Sequence, residues 1–302
     1  MHAVSPAAGM RVHVMTRGTG MREEFAFLGA QPARFWWRGY RDATNFQLPS
    51  LIVESDDAGW RLYLSPVAIS AVGPGGTAIS LVVVVEGPHG EDDDLALLPR
   101  LVALWSTGQD GQVARALSTA FPPDGRLITE WRATPDEATR RLVEAAFREG
   151  LRALPAPEAV DDGHRTDLPR WAGPADAAPS RTAFTHRVRE LLDGAPGRAV
   201  LANYCREEDV LDGLTGFPVL ADPADEPLAL LVQRSGGALG ERPVPLPAPA
   251  APGKARPRPP VPEPIPPTGE HESDERSRHP VVLLVLCGLM AITIVAIILL
   301  LG

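Results

Sequence analysis

Residues 281–301 read VVLLVLCGLMAITIVAIILLL, a run without a charge or a proline. At about 1.5 Å of rise per residue, such a helix spans about 30 Å, the thickness of one bilayer core. A helix buried inside a protein rarely stays apolar on every face over so many turns. The run is therefore expected to be a single transmembrane helix that anchors the chain from its C-terminal side. No charge lies inside it, so it is not expected to conduct ions or protons. Cys287 and Ala291, small residues four apart, offer a stripe through which two copies would associate as a homo-oligomer.

The flanks set an expected topology. Arg276 and Arg278, and further out Lys254, Arg256 and Arg258, all lie on the N-terminal side of the run. The N-terminal MHAVSPAAGMRVHVMTRG lacks the unbroken apolar segment of a signal peptide. The positive-inside bias then places the head in the cytoplasm of a cell and the C-terminus across its membrane. Met10 is an alternative start, because regular patterning begins at Arg11. Lys254 is the single lysine among 29 basic residues, and Ala, Gly and Pro abound, a composition typical of a high-GC bacterial genome.

Between head and anchor, residues 241–280 are a different material. Arg242 to Pro280 holds 13 of the 32 prolines and almost no large apolar residue. Such a stretch cannot bury enough surface to fold, and a disordered, proline-rich linker is expected. Fully extended as polyproline it would reach about 120 Å. PRPPVPEPIPP also carries the PxxP spacing that SH3-like domains bind, although a plain spacer is the simpler reading.

The formal charge of −9 falls entirely on residues 1–240, since the remainder is balanced. An acidic head is a poor partner for nucleic acid, and none is expected. The chain's two cysteines, Cys205 in the head and Cys287 in the apolar run, lie in different segments, which excludes a disulfide framework and fits a reducing compartment.

The head reads as α+β, a mixed sheet with flanking helices. Residues 1–10 are expected to be disordered and 11–154 to form an α+β subdomain. Residues 155–179, rich in Pro, Ala, Asp and Gly, read as an exposed connector, and 180–240 as a smaller α/β subdomain packed on the first. Strands are expected at 11–16, 24–28, 49–55, 60–65, 78–86, 198–204 and 227–233. The pure apolar run Leu81–Val85 marks a strand buried on both faces. RLITEW (126–131) and FPVLA (217–221) are also read as strands. Helices are expected at 92–107, broken at Pro99, at 112–120, at 134–154 with Thr134 as N-cap, at 180–192 with Ser180 as cap, and at 207–214.

No catalytic motif stands out. GPGG (73–76) precedes a strand rather than a helix and has no following lysine, so it is a turn and not a phosphate loop. His89, Asp92 and Asp94, at the end of the strongest strand, are the candidate ligands of a divalent cation. Acidic residues at a helix start are expected in any case, because they complement the dipole, and no metal or other cofactor is assigned. Cys205 reads as a lone buried thiol. FWWRGYRD (35–42) is the best partner-binding candidate. Trp36, Trp37, Arg38, Tyr40 and Arg41 interleave aromatic and cationic groups as recognition surfaces do.

The expected protein is a single-pass, C-terminally anchored interaction module with an unknown protein partner, an accessory of a bacterial signalling or defence system rather than an enzyme. The alternative is a membrane-tethered enzyme or ligand sensor with its site near His89 and Asp92–Asp94.

Overall fold

The computed structural model describes residues 9–17, 25–45, 48–72, 78–90, 94–121, 125–156, 166–222, 225–234 and 239–246. The expected stalk beyond 246 and the expected membrane helix lie outside them. Among the described residues, no helix is long and apolar enough to cross a membrane.

The chain begins with strands β1 (Arg11–Arg17) and β2 (Phe25–Leu28), then a 3-10 turn at Trp36–Tyr40. Strands β3 (Ser50–Asp56), β4 (Gly59–Val72) and β5 (Ala78–Gly87) follow, and then helices α1 (Leu98–Ser106), α2 (Asp110–Ala120), α3 (Gly125–Ala133) and α4 (Glu137–Arg152). The remainder runs β6 (Arg170–Pro174), α5 (Ala178–Leu192), β7 (Gly197–Arg206), α6 (Glu207–Leu211), α7 (Pro218–Ala221), β8 (Leu228–Arg234) and β9 (Val244–Pro245).

All the described strands join one sheet in the order β2-β1-β5-β4-β3-β7-β8-β6-β9. Pairing is antiparallel except for β7–β8 and β6–β8, which are parallel. The head is thus α+β with a large mixed sheet and flanking helices. The stretches expected as two subdomains meet in this sheet, where β3 pairs with β7 over Leu51–Ser55. Residues 244–246, read as part of the linker, close its far side: β9 pairs with β6, and the Leu246 amide donates to the Arg170 carbonyl at 3.1 Å.

Alternation along each strand divides the core in two. Leu81, Val83 and Val85 of β5, with Leu62 and Leu64 of β4 and Leu51 and Val53 of β3, face the layer of α1, α2, α4 and α5. Val82 and Val84, with Ile52, Tyr63, Val200 and Leu230, face the other side, under the 3-10 turn, α6 and α7. Leu81 to Val85 are buried on both faces, as their unbroken apolar run implies.

Several expectations are corrected. RLITEW is helix α3, not a strand: Ile128 is buried while Leu127 is exposed, and a single inward residue per turn suffices for a short surface helix. PVLA is the one-turn helix α7. The connector contains strand β6, whose Trp171 is fully buried, so its polar composition concealed one strand of the parallel trio. Helix α4 is capped by Asp136, not Thr134: its side chain accepts from the Thr139 amide at 2.7 Å. The break expected at Pro99 lies beside it: a 3-10 turn at Leu95–Leu97 ends and α1 begins at Leu98, with Pro99 in its first turn, where a ring without an N–H is suited. Ser180 lies inside α5, packed on Gly173, where a β-carbon would collide with its hydroxyl.

Candidate functional site

A row of charged residues crosses the second face of the sheet. Strand register places Arg11 of β1 opposite Glu86 of β5, Glu86 opposite Arg61 of β4, Arg61 opposite Glu54 of β3, and Glu54 opposite Arg198 of β7. Five strands therefore contribute alternating cations and anions to one line. Alternation is the arrangement that lowers the cost of burying charge, since each group has an opposite neighbour across the strand. Arg61 Nε lies 2.8 Å from Glu54 Oε2 and its Nη2 3.3 Å from Asp56. Arg198, only 6% exposed at its side chain, pairs with Glu226 at 3.0 Å and donates to the carbonyls of Val219 and Asp222. Beyond it, Arg170 of β6 donates to the carbonyls of Leu220 and Glu226, both at 2.9 Å. The two arginines thereby hold the segment around α7 over the sheet.

The aromatic segment sits on this row. Tyr40 is buried, and its hydroxyl donates to Glu54 Oε1 at 2.6 Å. Burial, and then the charge of Glu54, push the Tyr40 phenol well above its ordinary range. Trp37, also buried, stacks on Tyr63 with ring centroids 5.7 Å apart and meets Phe35 and Trp36 edge-on. Trp36 is half-buried, with the Arg61 guanidinium 5.5 Å from its ring centre. Arg38 and Arg41 are exposed: Arg38 lies over the Phe35 ring at 4.4 Å, and Arg41 makes a loose pair with Asp42 at 3.7 Å. Of the five residues singled out for partner binding, two are therefore core, two are surface cations and Trp36 lies between them.

The chain matches no family model, no curated protein and no solved structure.

The other candidates are dispersed. His89 Nε2 lies 2.7 Å from the Asp56 carbonyl, which ties the end of β5 to the β3–β4 turn. Asp94 is buried and held by Arg148 at 2.7 Å and by Arg152 at 2.8 Å, both on α4. Its carboxylate is committed to two guanidiniums, a structural role. Asp92 lies outside the described residues. Among the described residues, no group of three His, Cys, Asp or Glu side chains is placed to hold a metal ion. The Cys205 thiol is buried, and burial pushes it up to about 12, so it is protonated at neutral pH.

Sequence reasoning missed the charged row, since residues 11, 54, 61, 86 and 198 share no local pattern. It also missed a cleft of about 450 Å³ at one end of the row. Arg11, Arg34, Arg61, Asp56 and Glu86 line it beside Trp60.

Proposed function

We propose that this chain is a C-terminally anchored, single-pass interaction module whose cytoplasmic head docks an acidic protein partner through Arg38 and Arg41, with Trp36 beside them. One observation carries the reading. The 3-10 turn is fixed from beneath, by Trp37 on Tyr63 and Tyr40 on Glu54, while both arginines are exposed. A rigid platform presenting cations recruits a partner with little ordering cost, because the backbone is already held. The arginines stand out against a head whose overall charge is strongly negative. The apolar run at 281–301 and the proline-rich stretch before it supply the anchor and the spacing.

The test uses the full-length chain in its native membrane. Cross-linking and affinity capture should recover a partner whose association weakens as salt rises and is lost in an Arg38→Ala/Arg41→Ala variant. Capture that the double variant leaves unchanged would refute the docking surface. Protease added to intact cells should spare the head; digestion would invert the topology.

A further inference from the structure

The cleft at the end of the charged row has features that the docking surface does not use. Its arginines come from three separate places: Arg11 from the start of β1, Arg34 from the segment before the 3-10 turn, and Arg61 from β4. They are not equally engaged. Arg61 is neutralised by Glu54 and Asp56. Arg11 has one distant ion pair among the described residues, Glu137 at 3.9 Å, and its side chain is 56% exposed. Arg34 is exposed and makes no ion pair or hydrogen bond with any described residue.

The walls are rigid. Trp60 is buried and donates its indole N–H to the Pro88 carbonyl at 3.1 Å. A β-carbon on Gly87 would come within 2.6 Å of the Trp60 ring, so the indole packs directly on the Gly87 backbone. The cleft is preformed, and about 450 Å³ accommodates a small molecule.

We infer that this cleft binds a small phosphate-bearing ligand, held between Arg34 and Arg11 with Arg61 at its base. The chemistry favours phosphate over carboxylate. A planar carboxylate is satisfied by one guanidinium fork, whereas a tetrahedral phosphate offers oxygens to cations converging from several directions. Asp56 and Glu86 stand on the same rim, and they favour an ester with hydroxyl or amine donors over the bare ion.

Isothermal titration of the full-length chain tests this with three probes: inorganic phosphate, phenyl phosphate, and vesicles with and without phosphatidate. Saturable binding of phosphate or phenyl phosphate is expected, with affinity reduced at least tenfold by Arg34→Gln and by Arg11→Gln. Both side chains are exposed, so the variants should keep the native melting temperature. Arg38→Ala/Arg41→Ala should bind these probes as the native chain does, which separates this site from the docking surface. Preference for phenyl phosphate supports a soluble ester. Arg34-dependent capture by phosphatidate vesicles alone supports a lipid headgroup as the source of the same chemistry. Binding of no probe, or binding that both Gln variants retain, overturns the site.

Discussion

The Tyr40 hydroxyl donates to Glu54 at 2.6 Å, while Arg61 grips the other oxygen of the same carboxylate at 2.8 Å. One half-buried acid thus joins the aromatic turn to the charged row. Removing the hydroxyl in Tyr40→Phe leaves Glu54 one donor short, and the expected loss is about 1–2 kcal/mol of unfolding free energy. Linkage adds a pH signature. The folded phenol is raised and the unfolded one titrates near 10, so this stabilisation is complete below about pH 10 and falls as pH rises beyond it. Tyr63 is raised in the same direction, chiefly by burial, so Tyr40→Phe should flatten the alkaline decline without abolishing it. Urea midpoints across that range measure both effects.

Neighbouring residues of FWWRGYRD should behave in opposite ways. Trp37→Ala removes a buried ring stacked on Tyr63 and should cost about 3–5 kcal/mol. Arg38→Ala and Arg41→Ala should change stability by no more than about 0.5 kcal/mol while abolishing partner capture. Chemical denaturation beside the capture assay separates the two classes.

Asp94→Ala should act on stability. Two guanidiniums lose their shared acceptor, although Arg148 still pairs with Glu144 and donates to the Met10 carbonyl. A loss of about 2 kcal/mol is expected, with the melting temperature shifted equally in chelator and in millimolar Mg²⁺. Asp94→Asn, which keeps the shape and one acceptor oxygen, should lose less.

His13 should make stability fall on the acid side. It is buried in β1 with Nδ1 3.0 Å from the Ala30 carbonyl, and burial lowers its pKa below the usual 6.5, against the opposing effect of that carbonyl. The unfolded chain therefore takes up the proton first. The contribution is present above about pH 6.5 and is lost as pH falls through the lowered value. Compared at about pH 7.5 and 5.5, His13→Asn should lose less stability than the native chain.

Legibility in the sequence followed the range of the forces involved. β5 was readable because a strand covered on both faces needs an unbroken apolar run, and LVVVV is one. β6 was not readable, because Pro169, Arg170, Gly173 and Pro174 surround Trp171, and its partners β8 and β9 lie far along the chain. The segment 126–131 misled because Ile128, Thr129 and Trp131 are strand-favouring residue types over a stretch too short to reveal a helical period. Of the candidate site, the arginines and aromatics were visible as a motif, but not their division into core and surface. That division depends on Glu54 and Tyr63, which arrive from other strands. Arg11 and Arg34 share a cleft for the same reason, and no spacing rule announces them.

The strand order has a consequence for biosynthesis. β6 is made before β7, yet its partners in the sheet, β8 and β9, are both made later. Until Leu228–Arg234 leaves the ribosome, β6 has no neighbour and β7 keeps one side open, so the two edges that β8 will join stay unpaired. Insertion of β8 between them seals both at once. A nascent chain arrested just short of Leu228 would expose both edges, and would be the form that chaperones hold and that aggregates when they do not.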